Sequence, residues 1–411
     1  MTIDQFQRNL WILLIQELIR MKISIVCKYP IPVGMAATTR IMSYAKGLVE
    51  AGENVEVWSC IPTGDFGGYS ADSGIYEGVS FRYSYKRARS KYKLVRILQH
   101  LFSLFLFAYK FQLSNRREKV DGLILSSDSI LLQLLVGCIC RINNIKSIFI
   151  FDEFPYPIRG KLKSDIPYYK KKAYSITLRF FDGYISMTQT LLDFYQRICY
   201  RPGLIVSTIT DLTRFAYSVK ENKEPGNPLS VVYMGNMELS KDNVDNIIRS
   251  LPYVLKEFKV HLYLYGRPTK KDLSFLQGLI DDLSLNAFVS FHYATSVEVS
   301  AILSSADILV SSQPDTKRAM GGFPTKLGEY LMSGTPVLLT NVGETSKYFL
   351  DGNDMFFAIP DSPIDFAAKI KYIKNNYSKA LDVARSGKNK IVSLYSHTKA
   401  GIDISNFINN I

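Results

Sequence analysis

The chain has 411 residues, of which 47% are hydrophobic and 21% charged, a composition typical of a soluble globular protein long enough for two domains. Its five scattered cysteines exclude a disulfide framework and form no zinc-ligand pattern. The net charge of +13 lies entirely in the N-terminal half, because residues 1–220 contain 30 Lys and Arg against 17 Asp and Glu, whereas residues 221–411 contain 20 of each. We therefore expect that half to face an anionic partner, such as nucleic acid, a phospholipid surface or a diphosphate-bearing substrate.

Residues 1–20 are expected to be a dispensable extension, because Met21 stands directly before a predicted strand and can serve as the start. The alternative is an interfacial helix, since Trp11–Ile19 is apolar and broadly helical. The longest apolar runs of the chain carry a polar residue every few positions, and we expect them to be too short to span a membrane.

A strand, a glycine-containing loop, a helix and a second strand are predicted next, at Lys22–Cys27, around Gly34, at Ala36–Glu50 and at Asn54–Trp58. This order is typical of a doubly wound parallel sheet, in which ligands bind at the carboxyl ends of the strands. The Gly34 loop is therefore expected to line a cleft. The absence of a G-x-G-x-x-G sequence argues against a dinucleotide site.

A basic stretch, Arg82–Arg96, contains no acidic residue and leads into an apolar helix predicted over Leu94–Leu113. Such a combination can dock on anionic headgroups, with each Lys or Arg near the surface contributing about 1 kcal/mol. A solvated loop followed by a core helix is the alternative. On the first interpretation, five side chains are predicted to face a membrane or an acceptor: Lys86, Arg87, Arg89, Lys91 and Lys93.

Two adjacent carboxylates, Asp152 and Glu153, directly follow a predicted strand at Ser147–Phe151. That position places them at the edge of the cleft, where a carboxylate can act on a substrate hydroxyl, although a structural capping role fits equally well. The other elements predicted in this half are strands at Gly122–Ser126 and Asp182–Met187 and helices at Ile130–Arg141 and Thr188–Tyr195.

The polar, Pro- and Gly-containing segment Glu221–Pro228 is predicted to be a linker, after which a second alternating pattern begins. Lys241 stands just before its first predicted helix. The pattern predicts an α/β protein with two Rossmann-like domains facing a cleft, at residues 21–216 and 229–393, with a linker at 217–228 and a C-terminal helix at 394–411 that can return to the first domain. The predicted strands are Leu229–Met234, His261–Tyr265, Val289–His292 and Ile308–Ser311, and the predicted helices are Val244–Phe258, Lys271–Leu283, Val297–Ser304, Asp365–Asn375 and one from about Ala380.

The stretch Met320–Thr340 is predicted to form a loop, a helix from Thr325 to Met332, a turn and a strand at Val337–Leu339. Thr325 is the candidate N-cap. A glycine-rich loop that runs into a helix N-terminus suits a phosphate, and Lys326 adds a full charge there. Glu329, one turn later, can accept hydrogen bonds from a ribose diol. An ordinary turn before a core helix is the alternative.

This layout resembles the group 1, or family 4, glycosyltransferases of the GT-B fold, which transfer a sugar from a nucleotide donor with retention at the anomeric carbon. The resemblance extends from Met21 to about Lys390. It is carried by P-I-P-V-G-M-A-A-T-T-R near the N-terminus, by V-V-Y-M-G-N-M-E-L-S-K, by Gly321–Thr340 and, more weakly, by D-L-T-R-F at Asp211–Phe215.

The resemblance implies roles for individual residues. Lys241, six positions after Gly235, is similar to the diphosphate-binding lysine of the family, and Glu329 to the second acid of its Glu-x7-Glu element, which holds the donor ribose. Gly34 is similar to the loop glycine that lets the donor phosphate approach. Backbone amides around the sugar and phosphates would come from Phe323, Pro324, Thr325, Lys326 and Leu327.

Three positions depart from the family pattern. Gly321 stands in place of the first Glu, Asn236 in place of a diphosphate-binding Arg, and Asp152–Glu153 near a usual His-Asp pair. Because a charge-assisted contact is worth roughly 1.5–3 kcal/mol, a substitute is expected, and Lys326 or Arg318 is the candidate for the missing positive charge.

The expected protein is a metal-independent retaining glycosyltransferase of the hexosyltransferase type, without a cofactor, in which Asp152, Glu153 and Lys241 are catalytic. Its partners would be a nucleotide-sugar donor, a lipid-linked saccharide acceptor and an anionic membrane surface, with no nucleic acid. It would be cytoplasmic, peripheral on the inner face of the plasma membrane, and would build a bacterial surface polysaccharide such as capsule or O-antigen. A nucleotide-sugar 2-epimerase of the same architecture and a basic nucleic-acid-binding protein are the alternatives.

Overall fold

The computed structural model describes residues 20–161, 163–215, 224–295 and 297–411, which form two α/β domains. The N-terminal domain contains an eight-stranded sheet in the order β3-β4-β2-β1-β5-β6-β7-β8. β3 is antiparallel to β4, and the other neighbours are parallel. Its strands are Lys22–Cys27 (β1), Asn54–Ser59 (β2), Ser73–Tyr76 (β3), Val79–Tyr83 (β4), Gly122–Ser126 (β5), Lys146–Phe151 (β6), Gly183–Ser186 (β7) and Gly203–Ile205 (β8).

The C-terminal domain contains a six-stranded parallel sheet in the order β11-β10-β9-β12-β13-β14. Central strands of both sheets are buried along nearly their whole length, as expected where helices cover both faces. Its strands are Leu229–Met234 (β9), Val260–Tyr265 (β10), Val289–His292 (β11), Ile308–Ser311 (β12), Val337–Thr340 (β13) and Phe356–Ala358 (β14).

Helices connect the strands, and several of them begin at a Ser or Thr whose hydroxyl accepts a hydrogen bond from the first turn, as at Ser129, Thr188 and Ser396. The helices of the N-terminal domain are Ala36–Glu50, Lys93–Arg117, Ile130–Asn143, Tyr156–Arg159, Tyr168–Thr177 and Gln189–Gln196. Those that follow are Leu239–Asp242, Val244–Val254, Lys270–Asp282, Val299–Ser305, Lys317–Gly321, Leu327–Met332, Thr345–Tyr348, Pro363–Asn375, Tyr377–Leu394 and His397–Asn410, with 3-10 turns at Leu178–Phe180 and Leu212–Phe215.

The last helix, His397–Asn410, returns to the N-terminal domain and packs on the helix Ala36–Glu50. A Cβ atom on Gly401 would lie 2.0 Å from the backbone of Gly47, so glycine is required where the two helices touch. At the same contact, His397 Nε2 lies 2.8 Å from a carboxylate oxygen of Glu50. The predicted architecture of two α/β domains, with a C-terminal helix that returns to the first, is confirmed.

One part of the predicted pattern is incomplete. The hairpin of β3 and β4 was not predicted, and it places Arg82 in a strand rather than in a basic loop. The helix predicted from about Ala380 is Tyr377–Leu394, and the separate helix predicted at 394–411 is His397–Asn410. All of the predicted extension except Arg20, and most of the predicted linker, lie outside the described residues, and the domain boundaries stay a prediction.

Candidate functional site

The two domains meet where Asp152 and Glu153, which follow β6, face the segment after β9. Lys241 Nζ lies 3.3 Å from Glu153 Oε1, so one ion pair joins the domains across the cleft. Lys241 stands just before the helix Val244–Val254, as predicted, and belongs to a one-turn helix of its own, Leu239–Asp242. Both side chains keep partial solvent access, with 40% of Lys241 and 30% of Glu153 exposed. A ligand that enters the cleft can therefore reach both charges.

Glu153 is held as a carboxylate by cations from both domains. Burial alone would raise its pKa, but the charge of Lys241 and a 2.9 Å hydrogen bond from Arg159 outweigh this effect and lower the pKa. Arg159 also pairs with Asp128 at 3.2 Å, and Asp128 in turn pairs with Lys28. A continuous row of ion pairs therefore runs from Lys241 back into the N-terminal domain.

The pKa of Asp152 is shifted in the opposite direction from that of Glu153. Burial raises its pKa, and the negative charge of Glu153 adds to that effect, although Arg40 lies 3.0 Å from its carboxylate and opposes it. The environments of these two neighbouring carboxyl groups thus shift their pKa values in opposite directions, which suits them to different roles.

Lys326 lies beside Lys241 and is largely buried. Its ammonium group donates to Asp242 at 3.2 Å and to the Tyr233 hydroxyl at 3.1 Å. Burial lowers the pKa of Lys326, and Asp242 counteracts this. A Cβ atom on Gly235 would lie 2.6 Å from Nζ of Lys326, so the glycine after β9 leaves the space that this ammonium group occupies. The predicted glycine and lysines thus lie together.

Arg318, the other candidate for the missing positive charge, approaches the same segment. Its guanidinium donates to Glu238 at 2.6 Å, and that hydrogen bond and charge outweigh burial and lower the pKa of Glu238. Asn236, two residues earlier, is exposed to solvent. Both Lys326 and Arg318 therefore add positive charge around residues 235–242, and the replacement of a family arginine by one of them stays a prediction.

The space beside Gly321, the residue that stands in place of the first Glu of the family pattern, is occupied by an aromatic ring. A Cβ atom on Gly321 would lie 2.0 Å from the ring of Phe154, which follows Glu153 and is 3% exposed. Thr188 of the N-terminal domain also donates a 2.8 Å hydrogen bond to the Gly321 carbonyl. The place of a glutamate side chain is thus filled by an aromatic ring from the other domain.

The predicted helix start at Thr325 is wrong. The helix covers Leu327–Met332, and Lys326 precedes it in helical backbone geometry without a side-chain cap. The Leu327 N–H donates to the Pro324 carbonyl at 3.0 Å. This hydrogen bond closes a turn where the first turn of the helix had been predicted. The side chain of Phe323 is buried against Tyr348 and that of Leu327 is fully buried, so only their backbones remain for a ligand.

Glu329 forms an ion pair with Arg214, the arginine of D-L-T-R-F. That segment carries part of the resemblance, but nothing in it indicated Arg214 as the partner of Glu329. Among the described residues, no hydrogen bond or ion pair joins Glu329 to Lys241, so the structure places Glu153, Lys241 and Lys326 together, whereas Glu329 pairs with an arginine of the segment after β8. Its predicted role in holding ribose stays a prediction.

Gly34 is required by its own loop. A Cβ atom there would lie 2.1 Å from the Thr38 hydroxyl, which donates to the Pro30 carbonyl at 2.7 Å. This loop leads into the helix that carries Arg40, the partner of Asp152. The glycine thus shapes the cleft edge, and its predicted approach to a phosphate stays a prediction.

A further contact between the domains was missed. Glu344, after β13, is 2% exposed and accepts hydrogen bonds from the Gln189 N–H at 3.0 Å and from the Thr190 N–H and hydroxyl at 2.7 and 2.6 Å. A carboxylate at a helix N-terminus is stabilised by the free N–H groups. Burial raises the pKa of Glu344, but these hydrogen bonds outweigh it and lower the pKa. No local sequence signal indicates a partner in the other domain.

The prediction that Arg87 faces a membrane is wrong. Arg87 is 1% exposed, and its guanidinium donates to the carbonyls of Ile31 and Ala71 and lies over the rings of Tyr83 and Tyr69. These contacts of the Arg87 side chain hold the basic segment against the N-terminal domain. The other predicted cations of this group are exposed: Lys86, Arg89, Lys91 and Lys93.

The apolar helix Lys93–Arg117 is longer and more exposed than predicted. At 25 residues it is long and apolar enough to cross a membrane by length and composition, contrary to the expectation for the apolar runs. Only Ser103, Leu104, Phe107 and Phe111 are buried in it. Its exposed apolar side chains form a continuous surface: Leu94, Val95, Ile97, Leu98, Leu101, Phe102, Phe105, Tyr109 and Leu113.

Residues 228–376 match a family model described as "Glycosyl transferases group 1". The C-terminal domain carries this sequence pattern. Comparison with curated protein sequences gives no match.

Three solved structures illustrate the fold. Sucrose-phosphate synthase (tll1590) from Thermosynechococcus elongatus is 14% identical, with a TM-score of 0.72 over 95% of this chain and 99% of that chain. Anabaena Alr3699/HepE in complex with UDP is 12% identical, with a TM-score of 0.65 over 95% of this chain and 100% of that chain. The lipopolysaccharide outer core galactosyltransferase WaaB is 13% identical, with a TM-score of 0.65 over 95% of this chain and 99% of that chain. The chain has the GT-B fold.

Proposed function

We propose that this protein is a retaining glycosyltransferase that moves a sugar from a nucleoside diphosphate donor to an acceptor held by its N-terminal domain. The observation that carries the proposal is the meeting of Lys241 with Glu153 across the cleft, beside Lys326 and Gly235, within the part of the chain that matches group 1 glycosyl transferases. Alr3699/HepE has been solved with UDP and with UDP-glucose, which supports a nucleotide-sugar donor here.

In the proposed reaction, the bond between the anomeric carbon and the diphosphate oxygen breaks, and the acceptor hydroxyl oxygen bonds to the same face of that carbon. The acceptor proton passes to the leaving diphosphate. Lys241 and Lys326 stabilise the negative charge that grows on this group, and no step requires a metal ion. Glu153, which the cations around it favour as a carboxylate, orients the acceptor hydroxyl, and the neighbouring Asp152 is held in place by Arg40.

The acceptor is proposed to be a saccharide linked to a lipid. The exposed apolar face of Lys93–Arg117 and the exposed cations Lys86, Arg89, Lys91 and Lys93 would place the N-terminal domain on the anionic inner face of the plasma membrane. The likeness to a lipopolysaccharide galactosyltransferase supports a role in building a bacterial surface polysaccharide.

The test is release of nucleoside diphosphate from UDP-, GDP- and other nucleotide sugars by the purified chain, measured in the presence of a chelator. Lys241→Ala removes a cation proposed to stabilise the leaving group and is expected to lower turnover by roughly 100-fold or more, since a preorganised charge contact of this kind is worth about that much. Glu329→Ala is expected to abolish transfer as well, through loss of its contact with the ribose.

Lys371→Ala is the matched control, because Lys371 pairs with Glu257 at 2.6 Å on the C-terminal domain at a distance from the cleft-facing segment. It is expected to leave turnover unchanged. Near-wild-type turnover in both Lys241→Ala and Glu329→Ala would contradict the proposed donor site. Release of no nucleotide from any donor would contradict the proposed function itself.

A further inference from the structure

A cavity of about 260 Å³ opens at the carboxyl edge of the N-terminal sheet, next to the apolar helix. Lys28, directly after β1, forms one wall, and the segment after β2 forms another. The remaining wall comes from the start of the helix Lys93–Arg117 and the segment before it. The lining residues are Lys28, Pro30, Ile61, Pro62, Thr63, Arg89, Arg96, Ile97 and His100.

Three cations and a histidine thus surround one cavity. Lys28 pairs with Asp128, which Arg159 shares, whereas Arg89 and Arg96 have no carboxylate partner among the described residues. Burial lowers the pKa of His100, and the charges of Arg89 and Lys28 lower it further. Such an accumulation of unpaired positive charge in a concave site is unfavourable by itself and is relieved by an anion.

The cavity is held in shape by contacts that do not use its cations. The Ser90 N–H donates to the Gln99 side chain at 3.0 Å, which fixes the segment carrying Arg89 on the helix that carries Arg96. On the opposite wall, the Thr63 hydroxyl lies 2.7 Å from that of Tyr83. The arginines therefore project from a supported frame rather than from a free loop.

An apolar ridge begins at the cavity. Ile97 lines it, and Leu101 and Phe105 continue the same face of the helix at intervals of four residues. All three are exposed, and the ridge runs roughly 12 Å along the helix, at 1.5 Å per residue. A molecule with an anionic group in the cavity would have an apolar chain lying along this ridge.

We propose that this cavity binds the diphosphate of the lipid-linked acceptor, with the first part of its hydrocarbon chain on the ridge of Ile97, Leu101 and Phe105. This inference rests on the proposed function, because it assigns the acceptor side of the same cleft. The row of ion pairs from Lys28 through Asp128, Arg159 and Glu153 to Lys241 places the cavity on the same rim as the proposed donor site. Lipid recognition would thus be separate from donor binding.

Isothermal titration with geranyl diphosphate, geraniol, inorganic diphosphate and UDP tests the inference without a membrane. Geranyl diphosphate is expected to bind the wild-type chain at least about tenfold more tightly than geraniol or inorganic diphosphate, since it alone uses both the cavity and the ridge. The double variant Arg89→Gln/Arg96→Gln is expected to lose at least about tenfold in that affinity and to bind UDP as the wild type does.

The matched control is Arg116→Gln/Arg117→Gln, which removes two exposed charges from the other end of the same helix and is expected to change binding less than about twofold. Undiminished binding of geranyl diphosphate by Arg89→Gln/Arg96→Gln would overturn the inference. So would loss of this binding in Lys241→Ala, which would place the diphosphate in the donor site. Failure of the wild-type chain to bind UDP, GDP or any other nucleoside diphosphate would instead contradict the proposed function, and binding of the same nucleoside diphosphate by the double variant also shows that it is folded.

Discussion

The two domains share a parallel α/β architecture but differ in the way they hold charge. In the C-terminal domain, cations near the cleft are paired at close range, as Lys326 is with Asp242, and the domain has no net charge in its half of the chain. In the N-terminal domain, exposed cations lie beside an exposed apolar helix. The matched residues 228–376 fall in the first of these. The proposed donor side, in the C-terminal domain, therefore follows a sequence pattern shared with group 1 glycosyl transferases. The exposed cations and the exposed apolar helix, on the proposed acceptor side, lie outside the matched residues.

The strongest expected effect of a single change on stability concerns the paired charge of the C-terminal domain. Lys326→Met leaves Asp242, which is 5% exposed, without its ion-pair partner, and is expected to lower the free energy of unfolding by about 3–5 kcal/mol. Urea denaturation would measure this loss. The double variant Lys326→Met/Asp242→Asn removes both charges and is expected to recover most of it. An equal loss in both variants would show that packing of the lysine, and not its charge, stabilises the site.

The unpaired charge of the N-terminal domain is expected to act on binding and not on stability. Changing Lys86, Arg89, Lys91 and Lys93 together to Gln is expected to lower the partition coefficient onto anionic vesicles, measured by flotation at low salt, by roughly 100-fold. The reason is that each cation contributes up to about 1 kcal/mol to membrane binding. The melting temperature should stay unchanged. Four neutralised exposed lysines of the C-terminal domain form the control: Lys256, Lys270, Lys271 and Lys379. Equal weakening by both sets would mean that only net charge matters.

The sequence was sufficient to predict the bounds of elements that have a strong local hydrophobic pattern. Buried strands such as Gly122–Ser126 and Leu229–Met234 were predicted with their observed bounds, because an apolar run ends at glycine or polar residues. The hairpin Ser73–Tyr83 was missed, since β3 is exposed, although Glu77 and Gly78 both adopt positive φ angles in its turn and an acidic residue before glycine is a weak signal for this geometry.

The proximity of candidate site residues was predictable where they come from one domain. Gly235, Lys241 and Lys326 all belong to the C-terminal domain, and they lie together, whereas their binding roles stay predictions. Arg87 was placed with the exposed cations because nothing in a basic stretch reveals which member donates to the distant carbonyl of Ile31. In the same way, the partners of Glu344 lie more than 150 residues away, in the other domain. Contacts between residues so far apart in the sequence produce no local periodic pattern from which they could be predicted.

Glu344 offers a smaller test of how the two domains are joined. Glu344→Gln removes charge-assisted hydrogen bonds to the helix Gln189–Gln196 and is expected to lower the free energy of unfolding by about 1.5–3 kcal/mol at pH 7. Because the pKa of Glu344 is lowered in the folded chain, its contribution is present above the ordinary pKa of a glutamate and is lost as the pH falls through the folded value.

Thermal unfolding of wild type and Glu344→Gln at several pH values would measure this contribution, and the two curves are expected to converge as the pH falls below the ordinary pKa of a glutamate and through the lowered pKa of the folded chain. Glu257→Gln, at an exposed ion pair with Lys371, is the control and is expected to change stability by less than about 1 kcal/mol. A difference that persists unchanged at acid pH would assign the effect of Glu344 to packing.

The smallest expected effect tests why the chain has a glycine at position 321, where the group 1 glycosyltransferase pattern has a glutamate. Gly321→Ala places a methyl group 2.0 Å from the ring of Phe154 and is expected to cost about 1–3 kcal/mol of unfolding free energy, as overpacking does. Gly322→Ala is the adjacent control, because its nearest neighbour would be 3.4 Å away, and it is expected to cost less. If Phe154 is what excludes a side chain, Gly321→Ala combined with Phe154→Leu should cost less than the sum of the single changes. Strict additivity would mean that glycine is kept there for another reason, and that the missing glutamate is not explained by the aromatic ring that the N-terminal domain contributes.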